Sequence, residues 1–319
     1  MTLDPSVFRP EAIDAETAVF VTELEQMLTG FPSLHTQAPA DVRKARAEGG
    51  GWRGPIIYSD RARERKIPGP TGEVTLRTFT PARVDGVYLH VHGGGWVLGS
   101  ADAQDPRLEA LSNACHLAVL SVEYRLAPEH AYPAGPEDCE AAALWLAKNA
   151  RAEFGTDRLL VGGESAGAHL AVVALVRLRD RHGLQSFAGA NLAYGVYDLR
   201  GTPGLRNWGE RNLILSTPVM DWFFDYFVGP ERRLDPDVSP IHADLSRLPR
   251  ALFTVGTLDP LLDDSLFMHA RWLAAGNDAE LAVYPGGVHG FDGFPNSLGR
   301  SAVERQHAFL RAAITAASA

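Results

Sequence analysis

Ser165 stands at the centre of a pentapeptide that could hold a nucleophile. Residues 163–167 read Gly-Glu-Ser-Ala-Gly, between an apolar run short enough for a buried strand and residues 168–178, which are rich in helix formers. A Gly-x-Ser-x-Gly pattern at a sharp strand-to-helix turn exposes the serine at the top of a sheet and at a helix N-terminus, where developing negative charge is favoured. The same residues also fit an ordinary glycine-rich turn with a surface serine, so the pattern alone leaves both interpretations open.

An acid and a base follow two later apolar runs. Asp259 lies just past a predicted strand that begins at residue 251, at the position where open α/β sheets bind their ligands. It also fits a loop or capping role, although Asp263 and Asp264 are better placed to cap the helix that follows. His289 lies in a glycine-rich turn after another predicted strand, whereas the two other histidines that follow Asp259 lie inside helical patterns. We therefore predict that Asp259 and His289 are the acid and the base.

A run of three glycines could supply backbone donors to a reacting group. Residues 92–96 read His-Gly-Gly-Gly-Trp and directly follow a predicted strand. Consecutive glycines allow backbone N–H groups to point into a cleft, as the stabilisation of an oxyanion requires. A phosphate-binding loop is a weaker alternative, because neither Gly-x-Gly-x-x-Gly nor the Lys-Ser/Thr ending of such loops occurs here. An ordinary flexible turn is a further alternative for these residues.

The elements that must position these residues alternate between strands and helices. A helix is predicted over residues 133–150, and strands are predicted over residues 73–79, 86–91, 117–124 and 158–163. Such alternation is typical of the α/β class, with a mostly parallel central sheet and helices on both faces. Residues 12–27 show helical spacing, and no strand precedes them. They therefore either cap the fold or pack against its side.

Residues 200–240 interrupt this alternation. Thr217 and Pro218 provide an N-cap and a proline at the first helical position, and the residues that follow are apolar almost all round. Such a helix must be covered on more than one face. It is either plain core or part of a cap whose aromatic side chains line an acyl pocket, and we favour the cap. The predicted pocket residues are Trp96, Trp208, Trp222, Phe223, Phe224 and Phe227.

Composition and charge exclude several classes of function. The formal net charge is −9, and the basic residues of 61–66 are interrupted by Glu64, so we predict a solvated loop there and not a nucleic-acid arm. The first twenty residues show no secretory signal, and the longest central apolar run is too short to span a bilayer. Cys115 and Cys139 are too few for a zinc site. We expect a cytoplasmic protein without a nucleic-acid, membrane or metal partner. The sequence does not distinguish a monomer from a homodimer.

Taken together, these motifs resemble those of a known family. The glycine run, Ser165, Asp259 and His289 occur in the chain order of α/β-hydrolases. The His-Gly-Gly-Gly-Trp, Gly-Glu-Ser-Ala-Gly, Asp-Pro-Leu and His-Gly-Phe motifs, together with Tyr-Arg-Leu-Ala-Pro-Glu-His at 124–130, are similar to signatures of the bacterial hormone-sensitive-lipase-like esterases. The resemblance covers roughly residues 86–291. Glu164 is a departure, since many members carry aspartate there, and we expect it to alter local hydrogen bonds and not the chemistry.

The resemblance implies a carboxylesterase of small-molecule esters that needs no cofactor. We predict one α/β-hydrolase domain over residues 1–319, with a helical cap from about 1–50 and 200–240. Ser165, His289 and Asp259 would form the triad, and the N–H groups of Gly94, Gly95 and Ala166 the oxyanion hole. Short- to medium-chain acyl esters are the expected substrates. A lipase, a peptidase or an acyltransferase with the same triad, and a non-catalytic receptor on the same scaffold, are the alternatives. In the 124–130 segment, Arg125 and Glu129 are expected to pair with each other or with nearby backbone.

Overall fold

A single mixed sheet forms the centre of the protein. The computed structural model describes residues 4–316, and within them eight strands pair in the order β1-β2-β4-β3-β5-β6-β7-β8. The pairs β1–β2 and β2–β4 are antiparallel, and all the others are parallel. The strands are β1 Arg63–Gly69, β2 Gly72–Phe79, β3 Gly86–Val91, β4 Leu117–Glu123, β5 Leu159–Glu164, β6 Phe187–Ala193, β7 Arg250–Leu258 and β8 Ala279–Val288.

Helices cover both faces of this sheet. The helices are α1 Ala15–Leu28, α2 Pro39–Ala47, α3 Asp105–Cys115, α4 Ala134–Phe154, α5 Ala166–His182, α6 Pro203–Trp208, α7 Thr217–Phe227, α8 Leu262–Ala274 and α9 Ser297–Ala316. Alternate residues of β3 point to opposite faces. Val87 and Leu89 pack in one core with α4, α5 and α8, whereas Tyr88 packs in another with α3 and α9. The predicted α/β class, with a mostly parallel sheet between two helical layers, is therefore confirmed.

The sequence prediction was wrong at one edge of the sheet. Residues 61–66 were expected to be a solvated loop, but Arg63–Gly69 forms the edge strand β1. Its charged side chains carry no apolar alternation, and Pro68 is tolerated because an edge strand leaves one side of its backbone unpaired. Glu64 lies opposite Arg77 of β2, so the charges of this strand are matched across the pair.

The two segments predicted as a cap occupy the side of the molecule that carries β8 and α7. Gly286 of β8 contacts Ile13 and Thr17, which precede and begin α1, and a short 3-10 helix at Leu34–Thr36 packs against α7. The cap boundaries stay a prediction, and residues 1–3 and 317–319 of the predicted domain lie outside the described residues. In the part of the chain that the structure describes, the helices are too short or too polar to cross a bilayer.

The start of α7 differs by one residue from its prediction. Ser216 occupies the N-cap, and Thr217 is the first helical residue. The Thr217 hydroxyl donates to the carbonyl oxygen of Leu205 at 2.7 Å, so it links α7 to α6 and does not cap its own helix. The side chain that sequence reasoning assigned to capping therefore holds two neighbouring helices together.

Candidate active site

Ser165 occupies a sharp turn between β5 and α5. Its backbone has φ 56° and ψ −123°, a conformation that non-glycine residues rarely adopt. The N–H of Ser165 donates to the carbonyl oxygen of Ala193 at 2.9 Å, which ties the turn to β6. A Cβ on Gly167 would lie 1.9 Å from the carbonyl oxygen of Val91, so only glycine lets α5 approach β3 so closely. The serine side chain is thereby held at the carboxyl end of the sheet.

The three residues predicted as nucleophile, base and acid meet in one hydrogen-bonded row. His289 Nε2 lies 2.9 Å from the Oγ of Ser165, and His289 Nδ1 lies 2.9 Å from Oδ2 of Asp259. A carboxylate can only accept, so Nδ1 carries the proton and Nε2 is free to accept one from the serine hydroxyl. The side chains of Asp259 and His289 are both buried. A serine next to a base that is oriented by an acid can be activated for attack on an acyl group.

The two other aspartates near Asp259 form hydrogen bonds with backbone N–H groups and not with the histidine. Asp264 is buried and accepts from the N–H groups of Tyr197 and Asp198, at 2.6 and 2.9 Å. Asp263 accepts from the N–H of Gly204 at 2.6 Å. Both lie inside the first turn of α8 and not at its N-cap, so the capping role predicted for them was wrong. They fix the segments after β6 to α8 and make no contact with His289.

The glycine loop after β3 leaves the backbone N–H groups of Gly94 and Gly95 unoccupied. Gly94 and Gly95 have φ values of 125° and 61°. A Cβ on Gly94 would lie 2.1 Å from the carbonyl oxygen of Leu98, and one on Gly95 would lie 2.1 Å from the ring of Phe223. Among residues 4–316, the N–H groups of Gly94, Gly95 and Ala166 have no acceptor. Three free donors beside an activated serine can bind an oxyanion.

Glu164 connects the serine turn to the glycine loop. Its Oε1 accepts from the N–H of Gly93 at 3.0 Å and also contacts the side-chain amide of Gln104, while Oε2 lies 3.0 Å from Nε2 of His90. Burial by itself would raise the pKa of Glu164, but His90, the nearby charge of Arg107 and the Gly93 N–H hold it below its ordinary value. The carboxylate therefore stays ionised. The sequence marked this residue only as a departure from the family pattern.

The predicted pocket residues separate into three groups. Trp96 stacks on Phe227 at 4.4 Å between ring centroids and lies 6.1 Å from Phe224, and all three are buried in the main core. Trp208 lies in a different cluster, next to β7 and β8, and its indole N–H donates to Arg211. The structure thus does not bring Trp208 and Trp96 together. Phe223 lies against Gly95, and the half-buried Trp222 contacts Phe223 at 5.1 Å.

Sequence reasoning missed a buried group beneath His289. The Tyr194 ring packs edge-on against the His289 ring at 4.9 Å, and its hydroxyl donates to Asp292 at 2.6 Å. Arg107 and Gln306 also donate to Asp292, each at 2.8 Å. Burial and the charge of Asp292 raise the pKa of Tyr194 well above its ordinary value, so the phenol stays neutral. Asp292 follows the His-Gly-Phe motif closely, which is the only sequence signal for this group.

The charged residues of the 124–130 segment do not pair with each other. Arg125 donates to Asp138 on α4 at 2.8 Å, and Glu129 accepts from Arg43 on α2 at 2.7 Å. Arg125 also donates to the backbone carbonyl oxygen of Ala134 at 3.3 Å. Of the two kinds of partner that were expected, pairing with each other is thus wrong, whereas Arg125 does bond nearby backbone, and both residues fix the loop. Within the described residues no group of three or more histidine, cysteine, aspartate or glutamate side chains could hold a metal ion.

Comparison with known proteins agrees with this geometry. A family model described as an alpha/beta hydrolase fold matches residues 88–293. The chain belongs to this family. This α/β-hydrolase is 33% identical to the carboxylesterase NlhH of Mycobacterium tuberculosis, over 91% of this chain and 92% of NlhH. It is 35% identical to the carboxylic ester hydrolase LipN of the same organism, over 75% of this chain and 66% of LipN.

A solved structure extends the comparison to nearly the whole α/β-hydrolase chain. The hyperthermophilic esterase of Pyrobaculum calidifontis superposes with a TM-score of 0.82 and 31% identity, over 98% of this chain and 99% of that one. The resemblance to hormone-sensitive-lipase-like esterases is confirmed, and the protein is an enzyme of the serine carboxylic-ester hydrolase class.

Proposed function

We propose that this enzyme hydrolyses short- to medium-chain acyl esters of small molecules through an acyl-enzyme on Ser165. The observation that carries the proposal is the continuous row from Ser165 through His289 to Asp259, with 2.9 Å at each step. The nucleophile, its base and the orienting acid are thus already in hydrogen-bond reach of one another.

In the first half of the reaction, Ser165 Oγ attacks the ester carbonyl carbon while His289 Nε2 takes the hydroxyl proton. The carbonyl oxygen becomes an oxyanion, which the N–H groups of Gly94, Gly95 and Ala166 stabilise. When the intermediate collapses, the bond to the alcohol oxygen breaks, and His289 gives its proton to the leaving alcohol. Asp259 keeps the imidazole in the correct tautomer and stabilises its cation.

In the second half, water attacks the acyl carbon of the serine ester while His289 takes its proton. Collapse of this second intermediate returns the proton to Ser165 Oγ and releases the carboxylic acid. The steps use no cofactor. The cytoplasmic location and the choice between a monomer and a homodimer stay predictions from the sequence.

We assign fewer aromatic residues to the acyl pocket than the sequence predicted. Phe223, Phe224 and Phe227 are all buried, but the rings of Phe224 and Phe227 pack against Trp96 in the core and not against the glycine loop. Phe223 lies against the glycine loop, and Trp222 lies beside it. We assign Phe223, with Trp222 behind it, to the wall that limits acyl length. Each methylene gains up to about 0.8 kcal/mol of burial while it fits and nothing once it meets this wall.

Initial rates on para-nitrophenyl esters from acetyl to palmitoyl test this proposal, with an anilide as the control for peptidase activity. We expect efficiency to rise over the first few carbons and to fall for long chains. Ser165→Ala should lower kcat roughly 10⁶-fold. A preference for emulsified long-chain lipid would indicate a lipase, and comparable anilide turnover a peptidase. Transfer of the acyl group to an added alcohol in preference to water would indicate an acyltransferase. A serine-reactive phosphonate that fails to label Ser165 would favour the receptor.

A further inference from the structure

The segment that follows α2 lies over the turn that carries His289. Trp52 stacks on Phe294 with ring centroids 6.2 Å apart, and Phe20 of α1 packs edge-on against the same Phe294 at 4.8 Å. Phe294 follows the short 3-10 turn Phe291–Gly293 that comes after His289. The Arg53 guanidinium stacks over the Trp52 ring at 4.5 Å. The aromatic contacts thus hold Arg53 near the turn that follows His289.

The Arg53 side chain is accessible to solvent and is also surrounded by protein. It is exposed, yet desolvation by the surrounding protein lowers the pKa of its guanidinium, while the carboxylate of Glu164 acts to raise it. Glu164 directly precedes Ser165, so the charge that acts on Arg53 belongs to the serine turn. Arg46 lies near Arg53, and its pKa is lowered to about 10 by desolvation and by the charge of Arg53. Both remain cations at neutral pH.

Neither arginine is neutralised by the protein. Among residues 4–316, the side chains of Arg46 and Arg53 form no ion pair and donate no hydrogen bond. The nearby acids are occupied elsewhere: Glu164 by His90 and Gly93, Asp292 by Arg107, and Asp259 by His289. Most arginines of this acidic protein pair with carboxylates, so two unpaired ones near the turn that follows His289 form a site of positive potential.

We propose that Arg53, supported by Arg46, binds a carboxylate on the ester substrate and so favours anionic esters over neutral esters of the same size. Guanidinium groups bind carboxylates through two parallel hydrogen bonds, and the stacking on Trp52 holds the Arg53 plane in place for such a contact. The inference rests on the proposed function, because it names the class of ester that the same Ser165 would cleave.

Two matched substrate pairs test the inference on the full chain. The first pair, para-acetoxybenzoate and its methyl ester, places the charge on the alcohol part. The second pair, mono-para-nitrophenyl adipate and para-nitrophenyl hexanoate, places it on the acyl part. For each pair the ratio of kcat/KM for the anionic ester to that for the neutral ester is measured, so that a general loss of activity cancels. The variants are Arg53→Gln and Arg53→Lys, and the control is Lys148→Gln, which removes the same charge from an exposed position on α4.

We expect Arg53→Gln to lower this ratio roughly five- to tenfold for one of the two pairs, as loss of a partly exposed charge-assisted contact should. Arg53→Lys should lower it less, Lys148→Gln should not change it, and added salt should lower it in the wild type. An equal ratio in Arg53→Gln and the wild type for both pairs would overturn the inference while leaving the ester hydrolase intact. If the neutral esters are not hydrolysed by the wild type, the proposed function itself fails.

Discussion

Asp259 and Asp264 are both buried acids near the carboxyl end of β7, but their partners differ in kind. Asp264 accepts from two backbone N–H groups and from the hydroxyl of Thr202. Asp259 accepts from one backbone N–H, that of Leu261, and its other oxygen faces His289. The sequence offered three aspartates for one role, and only contact with the base distinguishes them. Residue type and spacing therefore locate the acid to within a few positions, and the direction of each side chain shows which aspartate contacts the histidine.

Replacing each aspartate in turn tests this assignment. Asp259→Asn should lower kcat roughly 10⁴-fold, because an amide at this position favours the wrong imidazole tautomer. Asp263→Asn should leave kcat within a few-fold of the wild type, since Asp263 contacts the backbone of α6 and not the histidine. The measurement is kcat on a short para-nitrophenyl ester. If Asp263→Asn proved the more damaging change, Asp259 would not be the acid.

Glu164 provides a second test at the residue scale. Its carboxylate joins the N–H of Gly93 to His90, so we predict that it positions the glycine loop. Glu164→Ala should lower kcat about tenfold or more with little change in KM, because oxyanion donors act mainly in the transition state. Glu164→Asp should restore part of kcat, since a shorter carboxylate can keep one of the two contacts. A change confined to KM would contradict this role.

At the scale of the element, α7 shows how one apolar helix serves two purposes. Its sequence predicted a helix covered on more than one face, and the structure has Phe223, Phe224 and Phe227 in the main core, with the Phe223 ring directed at the glycine loop and the other two rings at Trp96. The pattern of apolar residues could not separate these directions, because all three positions are equally apolar. The separation comes from packing against Trp96, which lies far away in the sequence.

Two adjacent phenylalanines of α7 form a matched pair for testing the acyl wall. Phe223→Ala should shift the preferred acyl length of para-nitrophenyl esters towards longer chains, because it removes a ring that lies against Gly95. Phe224→Ala should leave the preferred length unchanged and lower the free energy of unfolding by about 3–5 kcal/mol, as for other buried phenylalanines. Rates across the ester series and urea unfolding measure the two effects. A longer optimum in Phe224→Ala alone would place the wall at Phe224.

The strands that carry the site were the easiest elements to predict. The runs that lead to residues 92–96, Ser165 and Asp259 are strongly apolar, because a strand that is covered on both faces can carry apolar side chains on both. The run that leads to His289 lies in the other edge strand, β8, which is mostly half-buried. The edge strand β1 was missed for the converse reason: it is exposed and charged, so its sequence resembles a loop. Arg53 and Asp292 gave no periodic signal either, since their roles depend on loops brought together by the whole fold.

At the scale of the whole molecule, two buried histidines outside the reaction centre hold layers of the fold together. His169 of α5 accepts from the Trp96 indole N–H through Nδ1 at 3.1 Å and lies 2.8 Å from the carbonyl oxygen of Val238 through Nε2. His92 stacks on Tyr124 with ring centroids 4.2 Å apart. Burial lowers the pKa of each to about 4. Both are therefore neutral in the folded protein, and in His169 a second proton would face the Trp96 donor directly.

These histidines should make the fold sensitive to mild acid. An unfolded histidine has a pKa of about 6.5, so between about pH 6.5 and 4 the unfolded chain binds protons that the folded chain does not. Stability must then fall as pH is lowered through this window, by up to about 1.4 kcal/mol per pH unit for each histidine. Asp264 acts in the opposite direction, since burial raises its pKa to about 7 and its folded form gains protons as pH falls. A comparison of variants separates the two effects.

His169→Gln isolates the contribution of one histidine, because an amide can accept from Trp96 and donate to Val238 without titrating. Urea unfolding near pH 7.5 and near pH 5 gives the free energy of unfolding of the wild type and the variant. The wild type should lose about 1–2 kcal/mol more than His169→Gln between these pH values, since the depressed pKa of the histidine spans that range. The variant's stability near pH 7.5 need not match that of the wild type, because only the change with pH is compared. Equal losses in both proteins would mean that His169 does not stay neutral in the fold, and the contact with Trp96 could not then be a simple donor–acceptor pair.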